Sequence, residues 1–167
     1  MKLRPLKKED APLMLEWMHD SDINRFFCFD AAGMDLDSVY QFIEKANRDN
    51  EKNKHFAIAD DKDEYMGTIS LKQIDDKNSH AEYAVSLRAK AQGKGYAKFA
   101  TREILAFAFN ELKLNKVYLN VLSYNTHAIR FYEKTGFKYE GEFLKHIRKN
   151  DEFHDIKWYA FFKEDFR

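Results

Sequence analysis

Features that mark several other classes of protein are scarce in this chain of 167 residues. Its single cysteine, Cys28, excludes an internal disulfide, which fits a protein that works in a reducing compartment. No run of about 18 apolar residues is present, so no transmembrane helix is expected. Residues 1–6 also lack the apolar stretch of a signal peptide. These absences predict a cytoplasmic protein that has no membrane partner.

Net charge and chain-breaking residues are also limited. Lys and Arg number 28, as do Asp and Glu, so the formal net charge is zero, which argues against a dedicated nucleic-acid binder. There are only 2 prolines and 6 glycines, and no repeat, low-complexity stretch or linker interrupts the chain. The length suits one domain. The sequence therefore predicts a single domain over residues 1–167.

The periodicity of apolar residues predicts strands and helices in a mixed order. Asp10 is a candidate N-cap of the first helix, and residues 20–33 are predicted to be irregular. The resulting order, β-α-α-β-β-β-α-β-α-β-β, predicts an α/β domain (α+β mixed) built on one mixed sheet with helices. Strands are expected over residues 2–6, 55–59, 65–73, 79–87, 116–122, 137–147 and 153–162, and helices over residues 9–19, 35–50, 95–112 and 125–135.

The strongest local signal follows the predicted strand at residues 79–87. Gly93 and Gly95 remove Cβ atoms where a ligand can approach the backbone. Free N–H groups at the start of the next helix suit an anion, and Arg88 and Lys94 could add positive charge. This turn is therefore predicted to bind phosphate, with a glycine turn that holds no ligand as the alternative.

Two well-known phosphate loops do not match this turn. A Walker loop needs Gly at position 88 and Ser or Thr at position 95, where this chain has Arg88 and Gly95. A dinucleotide-binding fingerprint needs Gly or Ala at position 98, where this chain has Lys98. A P-loop nucleotide-binding protein is therefore not favoured.

Two segments carry a family resemblance. Residues 92–97, Gln-Gly-Lys-Gly-Tyr-Ala, resemble the Q/R-x-x-G-x-G/A signature of the GNAT N-acetyltransferase superfamily. Residues 125–137 resemble the family's N-x-x-A-x-x-x-Y-x-x-x-G-F segment, and a predicted strand lies between the two. The resemblance covers nearly the whole chain and is nearest the branch of ribosomal-protein, spermidine or diamine, and some amino-sugar acetyltransferases. It implies a central twisted, mostly antiparallel sheet of about seven strands, flanked by about four helices.

The resemblance also implies acetyl-CoA as the co-substrate, with no metal. In the family the pyrophosphate lies on the signature loop, and the pantetheine arm pairs with the end of the fourth strand like an added strand. A backbone N–H there would polarise the thioester carbonyl. The residues expected to contact the cofactor are Val85, Ser86, Leu87, Gln92, Gly93, Lys94, Gly95, Tyr96, Ala97, Lys98, Asn120, Asn125, Ala128 and Tyr132.

Two side chains are predicted to move protons. Tyr132 matches the family's acid position, and a phenol with a pKa near 10 stays protonated at neutral pH, ready for the CoA thiolate. A core aromatic on an amphipathic helix is the alternative for Tyr132. Glu82 is the candidate base, because strand alternation places it on one face with His80, Ala84 and Ser86. A solvated or ion-paired carboxylate is the alternative for Glu82, and His80 is a weaker base.

The sequence says less about which amine accepts the acetyl group than about the cofactor. In the family, the acceptor groove is built from elements that correspond to residues 17–37 and 146–155. Five aspartates lie among three phenylalanines in the first stretch and would suit a polyamine, although aspartates also cap helices. Arg25 with Arg148 and Lys149 would suit a phosphorylated amino sugar instead. A small-molecule amine and a protein N-terminal amine are both retained, with a non-catalytic CoA-binding or sensory module as the alternative.

A second subunit is also expected. Residues 158–162, Trp-Tyr-Ala-Phe-Phe, end the last predicted strand and are apolar enough that an edge there could pair with another chain. The sequence therefore predicts a homodimer.

Overall fold

A computed structural model describes residues 1–48 and 51–167, so the predicted end of the second helix, at residues 49 and 50, lies outside the described residues. The strands are β1 Lys2–Arg4, β2 Lys54–Ala59, β3 Tyr65–Asp75, β4 His80–Leu87, β5 Lys116–Leu122, β6 Lys138–Lys149 and β7 Glu152–Phe162. They form one seven-stranded sheet in the order β1-β2-β3-β4-β5-β7-β6. Only β4 and β5 pair in parallel, and the other neighbours are antiparallel. The predicted mixed, mostly antiparallel sheet is confirmed.

Within residues 1–48 and 51–167, five α-helices accompany the sheet, one more than expected. They are α1 Ala11–Met18, α2 Ser21–Asn24, α3 Leu36–Asn47, α4 Tyr96–Ala106 and α5 Thr126–Thr135, and α4 continues into the π-helical turn Phe107–Glu111. The extra helix, α2, is a single turn in the stretch predicted to be irregular. It begins where the Asp20 carboxylate accepts a hydrogen bond from the amide of Asp22. None of the helices in the described part of the chain is long and apolar enough to cross a membrane.

Asp10 precedes α1 as predicted, but its carboxylate does not cap that helix. Instead it accepts hydrogen bonds from Arg4 Nη1 at 2.7 Å and from Arg4 Nη2 at 2.9 Å, and a third from the amide of Lys7 at 2.8 Å. The capping role predicted for Asp10 is therefore wrong. Arg4, half-buried on β1, competes for the same oxygens, and a bidentate charged pair outweighs a single cap bond.

The helices cover the sheet unequally. On one face, α4 and α5 pack over its whole centre through residues such as Ile69, Tyr83, Ile104 and Leu119. On the other face, α1 and α3 cover only the half formed by the first strands, where Tyr65 is fully buried. The remaining half of that second face carries Glu82 and an aromatic row with His80 and Tyr118 5.4 Å apart, Tyr118 and Trp158 6.1 Å apart, and Trp158 and Phe143 5.2 Å apart.

The centre of the sheet opens into a cleft. The parallel pairing of β4 with β5 stops at the pair Glu82 and Tyr118. Beyond it, β4 continues to Leu87 along β3, and β5 continues to Leu122 along β7. The two central strands therefore diverge, and the backbone of β4 after Glu82 faces no strand on its β5 side.

The position of the last strand corrects one prediction. Because β7 lies between β5 and β6, Trp158 pairs with Asn120 on one side and with Gly141 on the other. Residues 158–160 are therefore paired on both sides and residues 161 and 162 on the β5 side alone, so the expectation that residues 158–162 form an edge is wrong for most of the segment. The free edge at this end of the sheet is β6. A homodimer remains a prediction.

Candidate active site

The turn between β4 and α4 is open to ligands. Gly93 has φ +72° and Gly95 has φ +86°, a left-handed conformation that side chains rarely adopt. A Cβ atom built on either glycine would meet no atom within 4 Å. Gly95 is the N-cap of α4, and no side chain caps that helix. The helix therefore begins with an exposed, positively polarised end.

The backbone amides of this turn lack acceptors. The first amide of the helix to find one belongs to Phe99, which donates to the carbonyl of Gly95 at 3.0 Å. The six amides before it, at residues 93–98, donate to no backbone or side-chain acceptor in the described part of the chain. Consecutive free N–H groups at a helix N-terminus form a cradle for phosphate oxygens. The geometry expected for a pyrophosphate site is therefore present.

Arg88 does not contribute its charge to this cradle. Its guanidinium is 6% exposed and donates to the Glu16 carboxylate at 3.0 and 2.8 Å, to Glu64 at 2.6 Å and to the carbonyl of Tyr65 at 3.0 Å. The expectation that Arg88 adds charge for an anion is therefore wrong. It fastens the end of β4 to α1 and β3, whereas Lys94 stays exposed in the turn.

A groove of about 670 Å³ begins at Gly95 and runs between α4 and α5. Four cations line it: Lys98 and Arg102 from α4, Lys134 from α5, and Arg167. None of the four forms an ion pair or a side-chain hydrogen bond within residues 1–48 and 51–167, whereas Asp165, the one acid in the lining, pairs with Lys138. Of these cations only Lys98 was predicted to contact the cofactor, although the i,i+4 spacing of Arg102 from Lys98 places both on one face of α4.

Tyr132 lies on α5, buried to 9% exposure. Its ring stands perpendicular to that of Tyr83 at 6.0 Å and packs against Phe137 at 5.7 Å. Burial raises the pKa of Tyr132 to about 12, so the phenol keeps its proton at neutral pH. Its hydroxyl donates to no group that the structure describes. At the start of the same helix, Asn125 Oδ1 accepts from the amide of Ala128 at 3.3 Å, which confirms the predicted cap.

Glu82 lies on the opposite face of the sheet from Tyr83, as the alternation predicted. Its side chain is 13% exposed, and Oε1 lies 2.9 Å from Lys72 Nζ on the neighbouring strand. Gln73 donates to Oε2 at 3.1 Å, and Asn120 donates to Oε1 at 3.4 Å. Glu82 is therefore an ion-paired carboxylate, and the structure places Asn120, predicted to contact the cofactor, beside it. Lys72 was not identified from the sequence, because its pairing with Glu82 depends on the register between β3 and β4.

His80, the weaker candidate for the base, occupies the same face. Its ring contacts Tyr118 at 5.4 Å, and its buried Nδ1 has no hydrogen-bond partner among the described groups. His80 lies two residues before Glu82 on β4, so the two side chains project from the same face of the strand near the cleft. Both basic roles remain predictions.

Residues 20–37, which include α2 and the loop after it, supply acidic and aromatic groups. Three of their aspartates cap local turns: Asp20 accepts from the amide of Asp22, Asp30 from that of Gly33, and Asp35 from that of Ser38. Residues 20–37 hold five aspartates and one arginine, and none of these aspartates forms an ion pair where the structure describes the chain. The capping predicted for them is confirmed for three, while their charges stay unneutralised.

Comparison with known proteins identifies the family. The acetyltransferase (GNAT) domain family matches residues 1–138. The spermidine N(1)-acetyltransferase of Vibrio cholerae is 28% identical over 160 residues, which are 94% of this chain and 90% of that protein. The enzyme of the same name from Escherichia coli K12 is 28% identical over 92% of this chain and 81% of its own length. A putative ribosomal N-acetyltransferase of Bacillus subtilis, YdaF, is 31% identical over 59% of this chain and 54% of its own.

The fold agrees with that assignment. A crystal structure of spermidine N-acetyltransferase from Vibrio cholerae in complex with CoA and spermine superimposes with a TM-score of 0.89, at 24% identity, over 99% of this chain and 96% of that one. The shared fold and the family match confirm the resemblance seen in the two sequence segments. This chain therefore belongs to the GNAT acetyltransferase family and is an acetyl-CoA-dependent N-acetyltransferase.

Proposed function

We propose that this enzyme acetylates a primary amine of a polyamine such as spermidine. The observation that carries the proposal is the similarity to a spermidine N(1)-acetyltransferase over 94% of the chain. The charge of residues 20–37 supports it, because five unpaired aspartates against one arginine attract a polycation over the range of a Debye length. The ring of Phe29, which is 49% exposed, offers a face to its ammonium groups.

Residues of the α4 N-terminus would hold the cofactor. The free amides of residues 93–98 suit the pyrophosphate of acetyl-CoA. Lys98, Arg102 and Lys134 line the groove that starts at the same turn, and their unpaired charges suit the remaining phosphate of its nucleotide. Gln92, Lys94, Tyr96 and Ala97 complete the turn. When bound, acetyl-CoA supplies an activated acetyl thioester.

The diverging end of β4 would hold the pantetheine arm. Val85, Ser86 and Leu87 pair with β3 on one side only, and alternate backbone groups on the other side have no strand partner. These groups can donate to and accept from the amides of the arm, as strand addition does. One N–H of the stretch would donate to the thioester carbonyl and stabilise the oxygen as it gains negative charge. Asn125 and Ala128, at the start of α5, would line the same cleft.

Two side chains would move the protons of the transfer. Glu82 accepts a proton from the ammonium of the acceptor, directly or through water, and the free amine attacks the thioester carbon. As the carbon–sulfur bond breaks, Tyr132 donates its phenolic proton to the sulfur of the departing thiolate. The pKa of about 12 that burial gives Tyr132 keeps this proton in place until the thiolate forms. The nitrogen releases its second proton to solvent as the amide forms, Glu82 then gives up its proton to solvent, and solvent returns a proton to the phenolate.

The ion pair of Glu82 favours a cationic acceptor. Its carboxylate already holds Lys72 at 2.9 Å on a face that is open to the acceptor. An incoming ammonium group can replace Lys72 as the partner of this carboxylate at little electrostatic cost, since one cation exchanges for another. A neutral or anionic acceptor would gain nothing from this arrangement.

A protein N-terminal amine is the second candidate, favoured by the similarity to a putative ribosomal N-acetyltransferase. The two are separated by measuring CoA thiol release with spermidine, with amino sugars, and with peptides that begin with Ser or Ala. A polyamine acetyltransferase should show kcat/KM for spermidine about 10²-fold above every peptide. Higher kcat/KM for a peptide would overturn the polyamine assignment and favour the protein substrate.

A further inference from the structure

The segment that we call the acceptor loop, residues 24–30, is held by two side chains that are distant in sequence. Lys149, the last residue of β6, donates from Nζ to the carbonyl of Asn24 at 2.9 Å and to that of Phe27 at 2.7 Å. Tyr124, between β5 and α5, donates from its hydroxyl to the carbonyl of Arg25 at 2.7 Å. Three of the first four carbonyls of the loop are thus tied to the far end of the sheet.

The local structure explains why these carbonyls are available. The carbonyl of Asn24, the last residue of α2, accepts from the amide of Phe27 at 3.0 Å and has a second lone pair for Lys149, whereas the carbonyls of Arg25 and Phe27 accept from no backbone amide in the described part of the chain. The ammonium of Lys149 has three N–H donors and a charge that suits a helix C-terminus. On the other side, the ring of Phe27 packs against Trp17 and Phe29, each at 5.3 Å. Packing of the Phe27 ring therefore fixes the loop on one side, and hydrogen bonds from Lys149 fix its backbone on the other.

The position of the acceptor loop determines which groups lie near the Glu82 carboxylate. The residue after Phe27 is Cys28, which is exposed, although nearby groups still desolvate its thiol and raise its pKa. The charges of Lys149, Lys72 and Glu82 also act on this thiol, so the loop lies within electrostatic range of the Glu82 ion pair. Any shift of the loop would change the wall of the space that an amine must cross to reach Glu82.

We propose that Lys149, assisted by Tyr124, is a positioning residue that holds the acceptor loop against the sheet and thereby sets the affinity for the amine. Lys149 acts through the loop backbone and does not need to touch the substrate. The expectation from sequence that Lys149 serves a phosphorylated acceptor fits this geometry poorly, because two carbonyls occupy its ammonium. The effect on acceptor affinity rests on the proposed function, whereas the effect on the loop does not.

The loop itself is tested by hydrogen exchange of the amides in peptides that cover residues 21–31. Lys149→Met should speed their exchange about tenfold, Tyr124→Phe should speed it less, and Lys149→Arg should restore protection. Lys138→Met is the matched control, because this lysine lies on the same strand but pairs with Asp165 at 2.6 Å. Unchanged exchange in both Lys149→Met and Tyr124→Phe would overturn the proposal.

Steady-state kinetics tests the consequence for the reaction. Lys149→Met should raise KM for the amine about tenfold, while kcat and KM for acetyl-CoA stay within about twofold of the native values. Lys149→Arg should recover most of the loss. An equal rise in KM for acetyl-CoA would indicate general loosening and contradict the proposal, and Tyr124→Phe repeats the test if Lys149→Met does not fold. If spermidine is not a substrate, the proposed function fails, while hydrogen exchange still decides whether Lys149 holds the loop.

Discussion

Lys72 and Glu82 face each other across strands β3 and β4, with Nζ 2.9 Å from Oε1 on the uncovered half of the sheet. The pair lies where the parallel pairing of β4 and β5 ends and the cleft begins. A carboxylate in this position is already charged and already balanced by a cation. In the proposed mechanism, Glu82 exchanges Lys72 for the incoming ammonium group before it takes up the amine proton, which would link the choice of acceptor to the chemistry.

The variant Glu82→Gln tests the role of this carboxylate. It keeps the size of the side chain and removes the base, so kcat/KM for the amine should fall about 10²-fold while the Kd of acetyl-CoA stays unchanged. Glu140→Gln is the control, because Glu140 also pairs with a lysine, Lys116, at 2.6 Å, but on β6. If Glu82→Gln retains native kcat/KM, Glu82 is not the base.

The variant Tyr132→Phe tests the general acid. It removes one hydroxyl from a buried ring, so kcat should fall by about 10²-fold or more, with acetyl-CoA binding nearly intact. Tyr159→Phe is the control, since its hydroxyl also reaches α5, where it donates to Glu133 at 3.0 Å. Calorimetric titration and initial rates would be measured on the same preparations. A native kcat in Tyr132→Phe would assign this ring to the core alone.

The pH profile provides a separate test of Tyr132. With its pKa raised to about 12 by burial, the acid stays protonated throughout the accessible alkaline range. The value of kcat/KM should therefore show no descending limb up to about pH 10, where the acceptor amine is still largely protonated. A descending limb centred below about pH 10 would show that a more acidic group donates the proton.

Much of this arrangement was predictable from sequence, for physical reasons. The alternation of apolar and polar residues along β4 places Tyr83 and Glu82 on opposite faces, because a strand has a side-chain period of two. Gly93 and Gly95 predicted an open turn because few other residues adopt their conformation. Asn125 predicted the start of α5, because its side chain caps the first turn of that helix.

The errors arose wherever the partner of a residue is distant in sequence. Arg88 seemed free for an anion, but Glu16 and Glu64 take its guanidinium. Lys72 was overlooked because its contact with Glu82 depends on the register of two strands. Residues 158–162 looked like an edge because sequence order does not reveal that β6 pairs outside β7. Such tertiary contacts override local patterns.

His55 should make stability depend on pH. Burial, and then the charge of Lys72, lower its pKa from 6.5 to about 4, while its Nδ1 lies 2.7 Å from Ser70 Oγ. Between pH 6.5 and pH 4, His55 binds a proton in the unfolded chain but not in the folded chain. The free energy of unfolding therefore falls as the pH drops from 6.5 towards 4. The loss should reach about 2 kcal/mol after allowance for the partial exposure of the ring.

Urea unfolding at pH 7 and at pH 5 measures this contribution. His55→Asn keeps a polar group near Ser70 and should show a smaller loss of the free energy of unfolding between the two values than the native protein. His127→Asn, at an exposed position on α5, should behave like the native protein. An identical loss in His55→Asn and in the native protein would contradict the assignment.

The proposed function depends on the phosphate cradle formed by the free amides of residues 93–98. A calorimetric titration with acetyl-CoA tests this cradle directly. Gly93→Glu places bulk and negative charge on the open side of the six free amides, where the native turn has no atom within 4 Å of an added Cβ. Gly141→Glu is the control, because Gly141 on β6 is equally unobstructed but far along the chain from the turn. Loss of measurable acetyl-CoA binding in Gly93→Glu, with native binding in Gly141→Glu, is the predicted result. Native affinity in Gly93→Glu would contradict the account and place the cofactor elsewhere.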